Sequence, residues 1–187
     1  GATLTLSSNR DMTISGGSFL GGPAANIVLL VGRNLDAGME IRGADLTVTT
    51  GGDAYLNFLD LSGRTTVNAI GNVLINTSAN SDGGFLVNAG GDITTSLIAL
   101  GLESTNGDIE FNAGNDIWLG HPYLRALNGS VLLDAGRDIN VRSDVTASGP
   151  LSATAGRNID LSVDDPESIT QSGSLSGAPL FIQAGGR

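Results

Sequence analysis

Eight carboxylate or amide side chains recur along the chain, each at the same place in a repeated nine-residue block. A row of such oxygen atoms could hold Ca²⁺. However, three of the eight are neutral Asn, and an Arg directly precedes four of them. The calcium-binding nonapeptide repeat has a nine-residue frame with three glycines, whereas the spacing here is about 20 residues. We therefore predict a structural corner ladder without metal, formed by Asp11, Asn34, Asp53, Asn72, Asp92, Asp116, Asp138 and Asn158.

A second group of side chains combines aromatic rings with a cation. The only Trp, the only His and one of the two Tyr lie within six residues, at Trp118, His121 and Tyr123, with Arg125 close behind. Exposed aromatic rings beside an Arg suit contact with a sugar or a protein. Alternatively, Trp118 and Tyr123 cover a coil and His121 caps a loop. A single His without Cys is a poor metal site, so these four residues are interpreted as a possible contact patch.

Clustered carboxylates at Asp164, Asp165 and Glu167 could support acid/base chemistry of the glycoside hydrolase kind. Neighbouring acids on a loop are more often simply solvated. Polysaccharide lyases that share β-helical folds combine acids with basic catalytic residues, but Lys is absent here and four of the nine Arg are placed at corners. We therefore predict no catalytic residue and no cofactor, and the chain is not expected to be an enzyme.

Composition narrows the function classes further. The net charge of −10 argues against binding to nucleic acid and to anionic membrane surfaces. The longest apolar run, residues 27–31, is too short to span a bilayer, so membrane insertion is not expected. The absence of Cys excludes disulfides and thiolate metal sites. Many Gly, Asp, Asn, Ser and Thr with few Glu and no Lys favour strands and turns over helices.

An internal repeat must position all of these side chains. One block recurs nine times in the order apolar, any, apolar, polar, small, Gly, any, Asp or Asn, apolar. Successive copies start 19 to 29 residues apart, which is typical of solenoid coils with variable insertions. The blocks begin at Leu4, Ile27, Leu46, Thr65, Phe85, Ile109, Val131, Leu151 and Leu180.

Each position in the block predicts a local structure. Positions one, three and five share one face of a strand, and their apolar or small side chains indicate that this face points into the core. Position four is polar in eight of nine blocks and should point outward. The following Gly is expected to supply a permissive backbone, and Asp or Asn to tolerate a left-handed conformation. A second inward pair follows, such as Ile117 with Leu119 or Ile159 with Leu161, and a less regular third arm closes each coil.

The pattern thus predicts an all-β solenoid, a parallel β-helix with coils of about 20 residues. The chain begins without an export signal and stops within a block, so residues 1–187 are expected to be a single rod segment of about eight to nine coils from a longer protein. The most regular corner sequences are Ala89-Gly90-Gly91-Asp92-Ile93, Ala113-Gly114-Asn115-Asp116-Ile117, Ala135-Gly136-Arg137-Asp138-Ile139 and Ala155-Gly156-Arg157-Asn158-Ile159.

These corner sequences resemble the repeats of the filamentous haemagglutinin family, the large exoproteins that Gram-negative bacteria export by two-partner secretion. The resemblance implies a right-handed, single-stranded parallel β-helix and export through an outer-membrane secretion partner. It also implies a role as an adhesin or as a stalk that presents a toxin. The family's secretion domain carries Asn-Pro-Asn motifs, and none occurs in this sequence. The chain therefore resembles the rod of such a protein.

Together these observations lead to the hypothesis of a structural stalk in a secreted adhesin on the exterior of the Gram-negative outer membrane. A host receptor or glycan is a possible further partner. One alternative is a carbohydrate-active β-helix enzyme or glycan-binding module. Another is a filament subunit that self-associates through coil ends or sides, because position two is apolar at Val28, Leu86, Leu132 and Phe181.

Overall fold

A computed structural model describes residues 1–17, 19–96, 101–120, 122–161, 174–177 and 179–185. All regular secondary structure in these residues is β-strand. The strands are β1 (Thr3–Ser8), β2 (Met12–Ile14), β3 (Phe19–Gly21), β4 (Asn26–Val31), β5 (Leu35–Gly43), β6 (Leu46–Thr50), β7 (Ala54–Leu61), β8 (Thr65–Ala69), β9 (Val73–Ile75), β10 (Ala79–Ser81), β11 (Phe85–Ala89), β12 (Ile93–Thr95), β13 (Leu102–Ser104), β14 (Ile109–Ala113), β15 (Ile117–Leu119), β16 (Tyr123–Ala126), β17 (Val131–Ala135), β18 (Asp138–Val141), β19 (Asp144–Ala147), β20 (Leu151–Ala155), β21 (Asn158–Asp160), β22 (Ser174–Ser176) and β23 (Leu180–Ala184).

One side of the molecule is a sheet of nine parallel strands, in the order β1-β4-β6-β8-β11-β14-β17-β20-β23. Each strand comes from one sequence block, and equivalent block positions lie directly opposite each other. Leu133 of β17, for example, pairs with Phe111 of β14 on one side and with Ala153 of β20 on the other. The predicted parallel solenoid is therefore confirmed, with the register that the blocks define.

The other two sides of each coil belong to a second, 14-stranded parallel sheet. The long strands β5 and β7 run through both sides and join them, because β5 pairs with β2 and β3 and β7 pairs with β9 and β10. A register shift between β5 and β7 after Ala37 marks the bend. We call the side formed by β2, β9, β12, β15, β18, β21 and the first halves of β5 and β7 the second side. The side formed by β3, β10, β13, β16, β19, β22 and the second halves is the third side.

The inward side chains form one continuous hydrophobic core. Its largest members, Phe85 and Phe111, are both 0% exposed. The prediction of inward burial is wrong only near the ends, where Leu161, Leu180 and Ile182 are 36%, 43% and 50% exposed. The reason is that β21 and β23 are the last strands of their sheets, so no further described strand covers these residues.

One coil carries a polar residue at the first inward position, and the core satisfies it internally. The Thr65 hydroxyl donates to Ser81 Oγ at 3.1 Å, and both residues are buried. Ser81 Oγ in turn lies 2.7 Å from the Gly63 carbonyl oxygen and 2.9 Å from that of Gly84. Because its hydroxyl is paired inside the core, Thr65 fits a column that is apolar in every other block.

The corner glycines are required by close stacking, and the expected need for a special backbone conformation is wrong at this position. The positive-φ glycines of the described chain are elsewhere, at residues 16, 17, 21, 84 and 101. At Gly114, a Cβ atom would lie 2.2 Å from the carbonyl oxygen of Gly90 in the previous coil. The same clash recurs at Gly136, 2.2 Å from the Gly114 oxygen, and at Gly156, 2.1 Å from that of Gly136. A side chain at these three corners would displace the carbonyl of the previous coil, whereas the equivalent Ile70 is accommodated with its side chain 74% exposed.

We predict that inward and outward neighbours in β17 differ sharply in their tolerance to change. Leu133 is 0% exposed, so Leu133→Asp places an unpaired charge in the core and should cost roughly 3–5 kcal/mol of unfolding free energy. Asp134 is exposed, and Asp134→Ser should be nearly neutral. Chemical denaturation of both variants provides the measurement. Equal losses of stability would contradict the register.

Candidate functional site

The eight ladder residues form one continuous column at the corner before the second side. In every step, the side-chain Oδ1 accepts a hydrogen bond from the backbone N–H of the ladder residue in the next coil. The donor–acceptor distances are 2.7–3.2 Å over all seven steps. Where an Asn follows an Asp, the Asn side-chain amide donates to the same oxygen, as Asn72 does to Asp53 at 3.2 Å.

The ladder explains why Asp and Asn occupy this position. No described residue other than glycine has a positive φ, so the expected tolerance of a left-handed conformation is not the reason. Asp and Asn instead share a short side chain with an acceptor oxygen that reaches the backbone of the next coil. Either residue satisfies that backbone N–H, which accounts for their interchange along the column.

Arginines at the following corner pair with some ladder carboxylates but not with all of them. Asp53 and Asp92 have no cationic partner among the described residues. The corner that follows Asp53 has Gly71 where an Arg could stand, and the corner that follows Asp92 has Asn115. No guanidinium from that position therefore lies beside these carboxylates. The paired carboxylates are Asp11 with Arg33 at 3.8 Å, Asp116 with Arg137 at 3.3 Å, and Asp138 with Arg157.

The geometry of the ladder does not resemble a metal cage. Each Oδ1 is already engaged with a backbone amide of the next coil. Within the described ranges, no three His, Asp or Glu side chains converge as a metal site would require. Ca²⁺ needs six to eight oxygen ligands around one point, whereas a ladder spreads its oxygens along a line.

The structure divides the predicted aromatic patch between two sides of the rod. Trp118 points outward from β15 on the second side and is 41% exposed. Tyr123 and Arg125 point outward from β16 on the third side, where the guanidinium carbon lies 4.5 Å from the centre of the Tyr ring. Arg125 also pairs with Glu103 of the previous coil at 3.6 Å. Tyr123 and Arg125 therefore come together, but Trp118 belongs to a different surface.

Tyr123 covers a coil, which is the alternative role that the sequence offered for it. Its ring covers the backbone of Gly101, where an added Cβ would lie 2.3 Å from the Tyr Cζ atom. Gly101 also has a φ of +132°, which L side chains rarely adopt. The contact fixes the ring against the coil, so Tyr123 is better described as a cover than as an open contact residue.

Two predicted features lie outside the described residues. His121 of the contact patch is one of them. The acidic cluster Asp164, Asp165 and Glu167 is the other.

Trp118 belongs to a groove on the second side that runs along the rod. Two adjoining depressions of about 730 Å³ and 470 Å³ meet at Leu74. The floor is one column of outward side chains on consecutive strands, in which Tyr55 pairs with Leu74, Leu74 with Thr94, and Thr94 with Trp118. We call this surface the axial groove. It extends from Asp36 at one end to Arg142 at the other.

The ladder forms one wall of the axial groove. The two carboxylates without a cationic partner, Asp53 and Asp92, are among the lining residues. At the far end, the guanidinium carbon of Arg142 lies 6.0 Å from the centre of the Trp118 ring. In the described part of the chain, Arg142 has no carboxylate partner. The groove thus combines two aromatic rings, the guanidinium of Arg142 and two carboxylates that have no cationic partner among the described residues.

Tyr55 and Arg142 also belong to this surface, although neither was predicted from the sequence as a site residue. Tyr55 and Trp118 each lie two residues after a ladder residue, so they occupy the same block position three coils apart. Comparing outward positions between coils would have found this pair. Arg142 lies on the second side of the coil after that of Trp118, and only the stacking brings it to the ring.

Comparisons with known proteins give no family for this chain, since no family model, curated protein or solved structure matches it. In the described residues, no helix is long and apolar enough to cross a membrane.

We predict that the ladder needs an acceptor oxygen rather than a charge. Asp53→Asn keeps the oxygen that accepts from the Asn72 N–H at 2.7 Å, so the thermal midpoint should barely change. Asp53→Ala removes that acceptor and should cost about 1 kcal/mol. Thermal and chemical unfolding of the pair separate the two effects. Equal destabilisation by both substitutions would show that the charge matters more than the hydrogen bond.

Removal of divalent metal should leave the native protein's stability unchanged. A ligand that binds only the folded state raises the unfolding midpoint, and its removal lowers it. Because the ladder oxygens bind backbone amides, we expect the same midpoint with a chelator as without it. A drop of several degrees on chelation that is reversed by Ca²⁺ would contradict the structural interpretation of the ladder.

Proposed function

We propose that this chain is a structural stalk segment of a secreted, surface-exposed bacterial adhesin, and that it works mechanically rather than catalytically. The observation that carries the proposal is the unbroken parallel sheet of nine strands, which links every coil to the next. With strands about 4.8 Å apart, such a stack is a rod of roughly 40 Å. A rod of this kind is suited to holding another part of a protein away from a surface.

Three sets of contacts between coils support a stiff rod. Backbone hydrogen bonds link the strands on all sides, and the Asp/Asn ladder adds a further bond at each of seven steps. Ion pairs also cross between coils, and Arg64 reaches Glu110 two coils away at 3.4 Å. Bending the rod would stretch all of these contacts together.

The adhesin part of the proposal rests on the corner sequences. Their resemblance to filamentous haemagglutinin repeats supports export by an outer-membrane partner and display outside a Gram-negative cell. The outward side chains are compatible with such a location, because the net charge of −10 favours solubility. A host receptor or glycan would then be the partner of the displayed protein.

Lateral self-association into filaments has weaker support. One column of the nine-stranded sheet contains the apolar outward residues Val28, Leu86, Leu132 and Phe181. The same column has polar residues between them, namely Thr47, Thr66, Glu110 and Ser152. The apolar residues are therefore separated by polar ones and do not form a continuous apolar stripe.

A stalk should tolerate the removal of a whole coil but not of part of one. We expect the native protein, with residues 109–130 deleted in frame, to be exported and displayed on its own cells, because the neighbouring strands can pair directly. Electron microscopy should show a rod shorter by about 5 Å. Surface display is measured by protease digestion of intact cells.

The matched control deletes only residues 109–119, which leaves a coil without its first two strands, β14 and β15, and should abolish folding and display. Equal tolerance of both deletions would contradict a role that depends on coil stacking. Retention of the unaltered protein inside the cell would contradict the proposed location.

A further inference from the structure

The axial groove carries two aromatic rings that lie outside the inward core columns. Tyr55 and Trp118 both point outward from the second side, and Trp118 is 41% exposed. Leu74 and Thr94 lie between them in the same column. We propose that this groove binds an uncharged, linear polysaccharide whose chain runs parallel to the rod axis. This site is independent of the stalk role and would add a ligand to the side of the rod.

The aromatic rings supply the stacking surfaces. The C–H faces of pyranose rings pack on aromatic side chains, and ligand sites commonly combine such apolar contacts with a few polar groups. Tyr55 and Trp118 are three coils apart, a separation of roughly 14 Å at the strand spacing of a β-sheet. In an extended chain, each hexose adds about as much length as one coil adds to the rod. A sugar stacked on Tyr55 and a sugar stacked on Trp118 would therefore have two further sugars between them.

The wall of the groove supplies hydrogen-bond acceptors for sugar hydroxyl groups. Asp53 and Asp92 each use Oδ1 for the ladder, while Oδ2 has no partner among the described residues. Elsewhere in the ladder, carboxylates are paired with an Arg of the next corner, as Asp116 is with Arg137. The ladder carboxylates without that Arg are the two that line the groove. Hydrogen bonds from hydroxyl groups to an ionised carboxylate are stronger than those between two neutral groups.

The charge of the groove favours a neutral chain over a charged one. Asp36, Asp53 and Asp92 line it, and they would repel a polyanion, as would the net charge of −10. A polycation would be attracted to the acidic rod as a whole, but Arg142 would repel it from the Trp118 end of the groove. A neutral chain rich in hydroxyl groups is repelled neither by the carboxylates nor by the guanidinium, because hydroxyls donate hydrogen bonds to carboxylates and accept them from the guanidinium.

The test uses the whole chain in affinity electrophoresis with soluble neutral polysaccharides, namely hydroxyethylcellulose, xylan, mixed-linkage β-glucan and galactomannan. Polygalacturonate and chitosan are the charged comparisons. We expect retardation by at least one neutral polysaccharide and none by polygalacturonate. Chitosan is attracted by the net charge of −10 over the whole rod, so any retardation by chitosan should be unchanged in Trp118→Ala. In calorimetry with oligosaccharides of the polysaccharide that binds, affinity should rise up to about four sugars, the number that spans Tyr55 to Trp118.

Three substitutions assign the binding to the groove. Trp118→Ala and Tyr55→Ala should each weaken binding at least tenfold. Asn115→Arg places a guanidinium next to Asp92, as Arg137 stands next to Asp116, and should also weaken binding while preserving the melting temperature. The matched control is Phe19→Ala, because Phe19 is an exposed aromatic residue with its own Arg partner, Arg42, on the third side. This control should bind like the native chain.

The results of these experiments test the groove proposal independently of the stalk proposal. Absence of retardation by all four neutral polysaccharides would overturn the groove proposal and leave the rod untouched. Binding to polygalacturonate or chitosan alone, or an equal loss of binding in Phe19→Ala, would also overturn it. Should Trp118→Ala fail to fold, Asn115→Arg still decides the question, since full binding by that folded variant would contradict a site at the ladder wall.

Discussion

Successive coils lie one β-sheet spacing apart at every corner, and most features of this molecule depend on that close approach. At Gly114 the distance between coils leaves no room for a Cβ atom, because the carbonyl of Gly90 occupies the space. The same approach brings each ladder side chain within hydrogen-bonding distance of the next backbone N–H. This close approach therefore explains both residue types. Glycine leaves room for the neighbouring coil, and Asp or Asn supplies the acceptor for the backbone N–H of that coil.

This constraint separates the inward from the outward side chains in their freedom to change. Inward residues such as Leu133 must fill a core whose cross-section repeats in every coil. Outward residues meet only their neighbours in the adjacent coils and the solvent. The rod can therefore carry Trp118 or Arg142 on one coil and smaller polar side chains on another without altering the backbone. A surface site can arise on such a scaffold at little cost in stability.

The axial groove illustrates how local exceptions to the repeat produce such a surface. The corners after Asp53 and Asp92 carry Gly71 and Asn115, whereas the corners after the other three ladder carboxylates carry Arg. Without a guanidinium above them, these two carboxylates remain open to the groove. Tyr55 and Trp118 replace smaller residues at one block position in the same region. The departures from the repeat thus coincide in space although they are spread over many residues.

The sequence alone determined the coil length, the register of the nine-stranded sheet and the core columns, because these follow from a block of side chains that repeats in every coil. It also predicted the ladder residues, although the reason for them, a bond to the next backbone, required the structure. The tertiary structure decided which outward residues are neighbours. Trp118 and Tyr123 are close in sequence but lie on different sides of a corner. Tyr55 and Arg142, distant in sequence, line the same groove as Trp118 because stacking aligns equivalent positions of separate coils.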